Sequence, residues 1–298
     1  MNGRIVCEIP VIKVGPDNSN GAFIRLDDGR ILFAFNQDSS IFWKQASTGI
    51  SAVYSPDGGH SWTQPEKLLF PEQTDAPIAI LNPSFIRLRN GELAIFYCRG
   101  NAWVNELVPC MRTSPDEGHS WRDERVCVDV SGYFTMLNDR VVRLSSDRLI
   151  CPLGYHDQYF PQNSGGAYSG VLIRDSRALA CFAYSDDDGA SWQAARNTVA
   201  NHIPSSAAGL QEPGIVELGP GMLWGFARTD MGRHYEFFSH DSGVSWTQAS
   251  PSRFVGPCSP LAIKRIPRNE WLLAVWNPIP AYLTHEMDFG QSIRVRLV

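Results

Sequence analysis

SHDSGVSW, residues Ser239 to Trp246, is a polar turn closed by a tryptophan, and the chain carries this pattern four times. SPDGGHSW runs from Ser55 to Trp62, SPDEGHSW from Ser114 to Trp121 and SDDDGASW from Ser185 to Trp192, at spacings of 59, 71 and 54 residues. Those intervals are too uneven for a solenoid and suit units joined by loops of variable length. Each turn follows a short run, ISAVY, VPCMRT, ALACFAY or HYEFF. The alternation and the β-branched or aromatic content of these runs predict strands.

A second column of similarity lies upstream of the turns. NGAFIRLDDGRILFAF starts at Asn20, NPSFIRLRNGELAIFY at Asn82 and NDRVVRLSSDRLICPL at Asn138. EPGIVELGPGMLWGF starts at Glu212 and PLAIKRIPRNEWLLAVW at Pro260. An aliphatic residue recurs at Leu26, Leu88, Leu144, Leu218 and Ile266, and a turn residue at Gly29, Gly91, Asp147, Gly221 and Asn269. Strand, tight turn and apolar strand make a β-hairpin. Hairpin, third strand, polar turn and a fourth strand such as RDERVCVD make a four-stranded blade. The expected fold is therefore all-β, a β-propeller of four-stranded blades, with residues 1–298 as a single domain. Five hairpins are visible, and the tail after Asn277 is too short to complete the last blade. GRIVCEIPVIKV near the N-terminus could add an outer strand that closes the ring.

The turn residues have a structural reading. Asp57, Asp116, Asp187 or Asp188, and Asp241 can accept hydrogen bonds from nearby backbone amides. Gly59, Gly118, Gly189 and Gly243 can take positive φ, and Trp62, Trp121, Trp192 and Trp246 can tuck between sheets. The four aspartates are thus expected to hold corners rather than do chemistry.

Composition narrows the function classes. The net charge is −5 and charged residues make up 19% of the chain, with no extended basic run, so neither nucleic acid nor a membrane surface is an expected partner. Seven scattered cysteines without a CxxC pair fit reduced thiols. The N-terminal stretch lacks the apolar region of a signal peptide, which gives a cytoplasmic expectation, with a secreted form already cleaved of its signal as the alternative. No HExxH or similar spacing marks a metal site, and no cofactor is expected. Oligomeric state is not set by any feature of the sequence.

Chemistry is expected where inner strands meet the channel mouth. The first residue of each hairpin reads Asn20, Asn82, Asn138, Glu212, Pro260, so a carboxylate breaks the asparagine column at one blade. A channel carboxylate can do acid–base or electrostatic work; the plainer reading of Glu212 is a loop residue or a blade-to-blade hydrogen bond. The ends of the second strands add Asp38, Arg99, Arg228 and His156 with Asp157, and the third-blade entrance adds Asp139 and Arg140. Asp38 could instead cap a turn, Arg228 could sit in a surface ion pair, and His156 could be a neutral hydrogen-bonding residue.

S-x-D-x-G-x-x-W is the Asp-box, and four copies interleaved with hairpins over about residues 20 to 277 resemble the sialidase superfamily with its BNR-repeat branch. That resemblance implies six blades and, in many members, exo-acting glycoside hydrolysis of a terminal sugar. It assigns Glu212 as the catalytic carboxylate that activates a tyrosine nucleophile, Asp38 as general acid/base and Arg228 as a binder of the substrate carboxylate. Arg99, Arg140, Asp139 and His156 would bind the anionic or hydroxyl-rich sugar. The sequence departs from the family at blade one, where NGAFIRL stands in place of an arginine-bearing RIP-like motif and Arg25 lies inside the strand. Tyr282 and Arg294 in the tail sit in no matching motif. A glycoside hydrolase with a carbohydrate substrate is the first expectation; a non-catalytic propeller that binds glycan or protein is the second.

Overall fold

The computed structural model describes residues 21–36, 47–72, 75, 77–101, 105–159, 173–267 and 271–278, and the backbone of 294–297. No helix occurs among these residues. The chain divides into two compact units, Met1–Ser131 with Leu137–Val141, and Gly132–Met136 with Val142–Val298.

The first unit holds two antiparallel four-stranded sheets. One runs β1 (Gly21–Arg25), β2 (Ile31–Asn36), β3 (Ile50–Ser55) and β4 (Glu66–Leu69) in spatial order. The other is β5 (Ile78–Arg87), β6 (Leu93–Asn101), β7 (Glu106–Ser114) and β8 (Arg125–Val126). Ala22, Leu32, Ala34, Ile50 and Ala52 share one buried core with Ile80, Phe85, Ile95 and Tyr97. Alternation puts Ala22 into this core and leaves Arg25 at the surface.

In the second unit β9 (Tyr133–Thr135) and β10 (Val142–Arg143) both pair with β11 (Leu149–Tyr159), which continues to β12 (Ile173–Ser185) and β13 (Gln193–Ala194). Next come β14 (Gln211–Gly219), β15 (Met222–Arg228), β16 (Arg233–Ser239) and β17 (Ser250–Val255) in order. A three-stranded sheet follows: β18 (Leu261–Arg265), β19 (Leu272–Trp276) and β20 (Arg294–Leu297). Phe182 and Trp246 stack in the core between β12 and β16, their ring centroids 4.0 Å apart, and Phe237 meets both edge-on.

The hairpin column is real at the level of hydrogen bonds. Leu26 N donates to Arg30 O, Leu88 N to Glu92 O and Leu144 N to Arg148 O, each closing around a left-handed Gly29, Gly91 or Asp147. Asn269 lies outside the described residues. Two expectations differ. Leu218 is 39% exposed while Leu26, Leu88 and Leu144 are buried, because the register shifts between Glu217 and Gly219. The third inner strand, expected to run on from Asn138, shrinks to β10. Asp139 takes φ 54°, its N–H donates to Pro83 O, and Val141 N donates to Ser84 Oγ, so those donors are lost to the ladder. The N-terminal stretch considered for ring closure lies outside the described residues.

Each Asp-box turn joins a third strand to a fourth, and its chemistry repeats atom for atom. Asp116 Oδ1 accepts Ser120 N at 2.8 Å, Oδ2 accepts Ser120 Oγ at 2.6 Å, and Ser114 Oγ accepts Gly118 N at 2.7 Å. Asp57, Asp187 and Asp241 do the same. Two consecutive left-handed residues make the corner, and in the second box the first of them is Glu117, at φ 61°, followed by Gly118. The Glu117 carboxylate bonds Arg87 of β5. The hydroxyl and amide of Ser61 hold Asp57 down to a pKa of about 2, and those of Ser120 hold Asp116 at about 2. Asp187 is lowered chiefly by Ser191; at Asp241 burial opposes, and Ser245 outweighs it.

A carboxyl with a depressed folded pKa contributes stability that is present above its unfolded value, near 3.9, and lost as pH falls through the folded one. The fold should therefore lose stability steeply between about pH 4 and pH 2. Urea midpoints measured across that window should fall less steeply in Asp116→Asn than in the wild type. Parallel curves would remove this turn from the acid response.

Candidate functional site

β14 opens on an irregularity. The register to β15 shifts between Gln211 and Gly214, so Glu212 and Pro213 bulge out of the ladder while Gln211 still faces Arg228. Glu212 takes φ 52°. A glutamate rarely adopts that region, and the following proline restricts it further. Such strain costs about 1–3 kcal/mol and clusters where side chains are aimed for function.

The aim is visible. Arg228 Nη1 donates to Glu212 Oε1 at 2.8 Å, with the two side chains 24% and 20% exposed. Glu212 Oε2 is buried with no hydrogen-bond partner among the described residues. On its far side Arg228 Nε donates to Cys258 Sγ at 3.2 Å. Burial works against the Arg228 charge, but Glu212 and Cys258 beside it hold its pKa above the ordinary value. The group is a carboxylate, a fixed guanidinium and a half-exposed thiol, with one carboxylate oxygen uncommitted.

Other residues of the asparagine column do different work. Asn82, at φ 60°, exchanges two hydrogen bonds with the buried Asn36, its N–H to Oδ1 at 2.7 Å and its Oδ1 from Nδ2 at 3.1 Å. Asn138 Nδ2 donates to Gly21 O at 2.6 Å. The first pair joins β2 to β5, and the second ties the segment Leu137–Val141 to β1. Glu212 instead pairs within its own hairpin, and the residue on β11 beside it is Gly154. A Cβ on Gly154 would stand 2.6 Å from Thr135 Oγ1 and 3.7 Å from Glu212 N.

Of the remaining sequence candidates, His156 is 4% exposed, its Nδ1 is 2.9 Å from Asp175 O, and its ring meets Tyr133 edge-on. Burial pushes its imidazole pKa down, so it is neutral at pH 7. Asp157 is exposed. In the first unit, Arg99 Nε is held by Glu124 Oε1 at 2.9 Å, and the other Glu124 oxygen accepts Tyr97 Oη at 2.6 Å. Arg140 is 5% exposed, and Asp139 forms the left-handed step described above. Asp38, Asn20 and Tyr282 lie outside the described residues, and of Arg294 only the backbone, in β20, is described.

Three residues of the Glu212 neighbourhood escape the sequence reading: Cys258, Asp230 and Ser206. Cys258 stands two residues before Pro260, outside the column, and its contact with Arg228 spans 30 residues, so the repeat gave no signal for it. Asp230 and Ser206 carry none, because their contact joins two loops far apart in sequence.

Residues 44–297 match the BNR repeat-like domain family, well over half of the chain. No curated protein sequence matches it. Among solved structures, the NanB sialidase from Streptococcus pneumoniae, in complex with 2-[(3-chlorobenzyl)ammonio]ethanesulfonate, superposes with a TM-score of 0.60 at 14% identity, covering 90% of this chain and 58% of that one. The Trypanosoma rangeli sialidase in complex with the inhibitor DANA gives 0.60 at 16% identity, over 86% of this chain and 43% of that one. The intramolecular trans-sialidase from Ruminococcus gnavus gives 0.58 at 14%, over 89% and 79%. The chain thus spans little more than half the length of NanB and less than half of the trypanosomal enzyme. Its sheets are the blades of a sialidase-like propeller, and the chain belongs to the BNR repeat-like domain family.

Proposed function

We propose that the chain is a sialidase-like, exo-acting glycoside hydrolase that removes a terminal anionic sugar. The observation that carries this reading is the Glu212–Arg228 pair, built on a strained backbone with one carboxylate oxygen buried and uncommitted. Glu212 would act as the base that takes a proton from the attacking hydroxyl, through Oε2, while Arg228 holds the other carboxylate oxygen in place. Arg228 Nη2 makes no hydrogen bond among the described residues, and a guanidinium can use it to hold a substrate carboxylate. Asp38 would serve as the acid/base partner, as the family resemblance implies.

One observation favours a glycan-binding propeller without turnover. Where the family places an arginine at the start of blade one, this chain has Gly21 and Ala22, and Arg25 points to solvent. The two readings part on a panel of aryl glycosides, sialosides included. The hydrolase should turn over the anionic member, and Arg228→Lys should raise its KM about tenfold or more, because one ammonium cannot hold Glu212 and the substrate carboxylate together as the guanidinium fork does. Turnover limited to neutral glycosides, with KM unchanged in Arg228→Lys, would sink the anionic substrate. Glycan binding with no turnover anywhere would establish the binding propeller.

A further inference from the structure

β15 does not end its work at Arg228. Two residues on, Asp230 turns back and grips the loop that leads into Glu212. Asp230 Oδ1 accepts Ser206 Oγ at 2.6 Å, and Oδ2 accepts the amides of Ala207 at 2.7 Å and Ala208 at 3.2 Å. Ser206 is 1% exposed, and its Oγ also accepts Gly209 N at 3.0 Å. Burial alone would raise the Asp230 pKa, but these donors outweigh it and the net shift is downward.

The opposite side of the same loop is tied to β12. Ala178 N donates to Ala208 O at 2.9 Å, and Leu210 N donates to Ala178 O at 2.8 Å. Ser176 Oγ donates to Ala207 O, and Gln211 Nε2 to Ser176 O. Thr229, between Arg228 and Asp230, is buried and closes its own turn through Arg233 O and Met231 N. One short stretch, Arg228 to Asp230, therefore carries both the partner of Glu212 and the clamp on the segment that delivers Glu212.

We infer that Asp230 is a positioning residue for the Glu212 carboxylate, setting its left-handed backbone and its register against Arg228 through Ser206 and the amides of Ala207 and Ala208. The catalytic part of this inference rests on the hydrolase reading above. Asparagine at 230 keeps one acceptor oxygen of two, so the Ser206 hydroxyl and the Ala207 and Ala208 amides can no longer all donate to it, which loosens the loop with nearly the same side-chain volume.

The test compares wild type, Asp230→Asn and the milder Ser206→Ala, which removes one hydroxyl and leaves two amide bonds. The expected result is a kcat lower by about tenfold or more in Asp230→Asn, with KM within threefold and a smaller fall in Ser206→Ala. In a Glu212→Gln background the same Asp230 change should have almost no further effect on residual turnover, because both substitutions act through one group. An unchanged kcat in Asp230→Asn, or a full additional loss in the Glu212→Gln background, overturns the inference. If the wild type hydrolyses no glycoside, the hydrolase reading fails on its own, and amide hydrogen exchange then decides the clamp. Faster exchange at Gly209 and Leu210 in Asp230→Asn, with the core amides unchanged, supports it; unchanged exchange at both overturns it. Should Asp230→Asn fail to fold, Ser206→Ala carries the same comparisons.

Discussion

Glu212→Gln should lower kcat on the anionic glycoside by about 10³-fold, within the range general acid–base groups supply, while the melting temperature stays within a few degrees. Glutamine keeps the acceptor that Arg228 Nη1 uses at 2.8 Å and nearly the same volume. What it cannot do is accept a proton at the buried Oε2 position. Glu212→Asn sharpens the test, because asparagine is the residue that blade two holds at nearly the same left-handed φ, 60° at Asn82 against 52° at Glu212. Its lower left-handed strain, about 1 kcal/mol, offsets a partly exposed ion pair worth about as much. So Glu212→Asn should fold with near wild-type stability and turn over nothing above the Glu212→Gln level. Near wild-type turnover in either variant would take Glu212 out of the chemistry. A melting temperature more than about 3 °C lower in Glu212→Asn, roughly 2 kcal/mol for a chain of this size, would show that the ion pair outweighs the strain.

The fold was legible because its signals are local. An Asp-box closes through serine, aspartate and glycine a few residues apart, and a hairpin closes from Leu88 to Glu92 without help from the rest of the chain. Period and turn chemistry therefore located the blades. The candidate site was legible only in part, and the division follows range of contact. Glu212 stood out as a break in a repeated column, and hairpin register alone brings Arg228 opposite Gln211. Residues that share a position in that scheme still differ in what surrounds them. Arg99, a strand-end arginine, is taken up by Glu124, and His156 by a backbone carbonyl under near-complete burial. The break in the third inner strand was hidden for the same reason, since the groups that draw Asp139 and Val141 away belong to β5. Cys258 and Asp230 reach the site through contacts of 30 and 24 residues in sequence, beyond what a repeat pattern encodes.

Gly209→Ala should be among the most damaging single-methyl changes in the chain. Gly209 takes φ 67°, where an L-residue costs about 1–2 kcal/mol. Its added Cβ would stand 2.4 Å from Ala178 O and 2.8 Å from Ala178 N, both backbone atoms that no rotamer change can move aside. Relief requires pushing the loop off β12, which breaks the bonds from Leu210 N to Ala178 O and from Ala178 N to Ala208 O. Each such buried backbone bond contributes about 1 kcal/mol, so the total is about 3–4 kcal/mol, or a melting temperature lower by about 5–6 °C for a chain of this size. Gly29→Ala is the control, because Gly29 has a similar positive φ of 89° with nothing within 4 Å of a Cβ. It should lose only the conformational part, about 1–2 kcal/mol. The difference between the two variants isolates the contact with Ala178. Equal melting temperatures would mean that the loop before Glu212 yields freely, and with it the premise that Glu212 is delivered by a rigid approach. A large gap, accompanied by a loss of turnover in Gly209→Ala but not in Gly29→Ala, would tie the same approach to the chemistry.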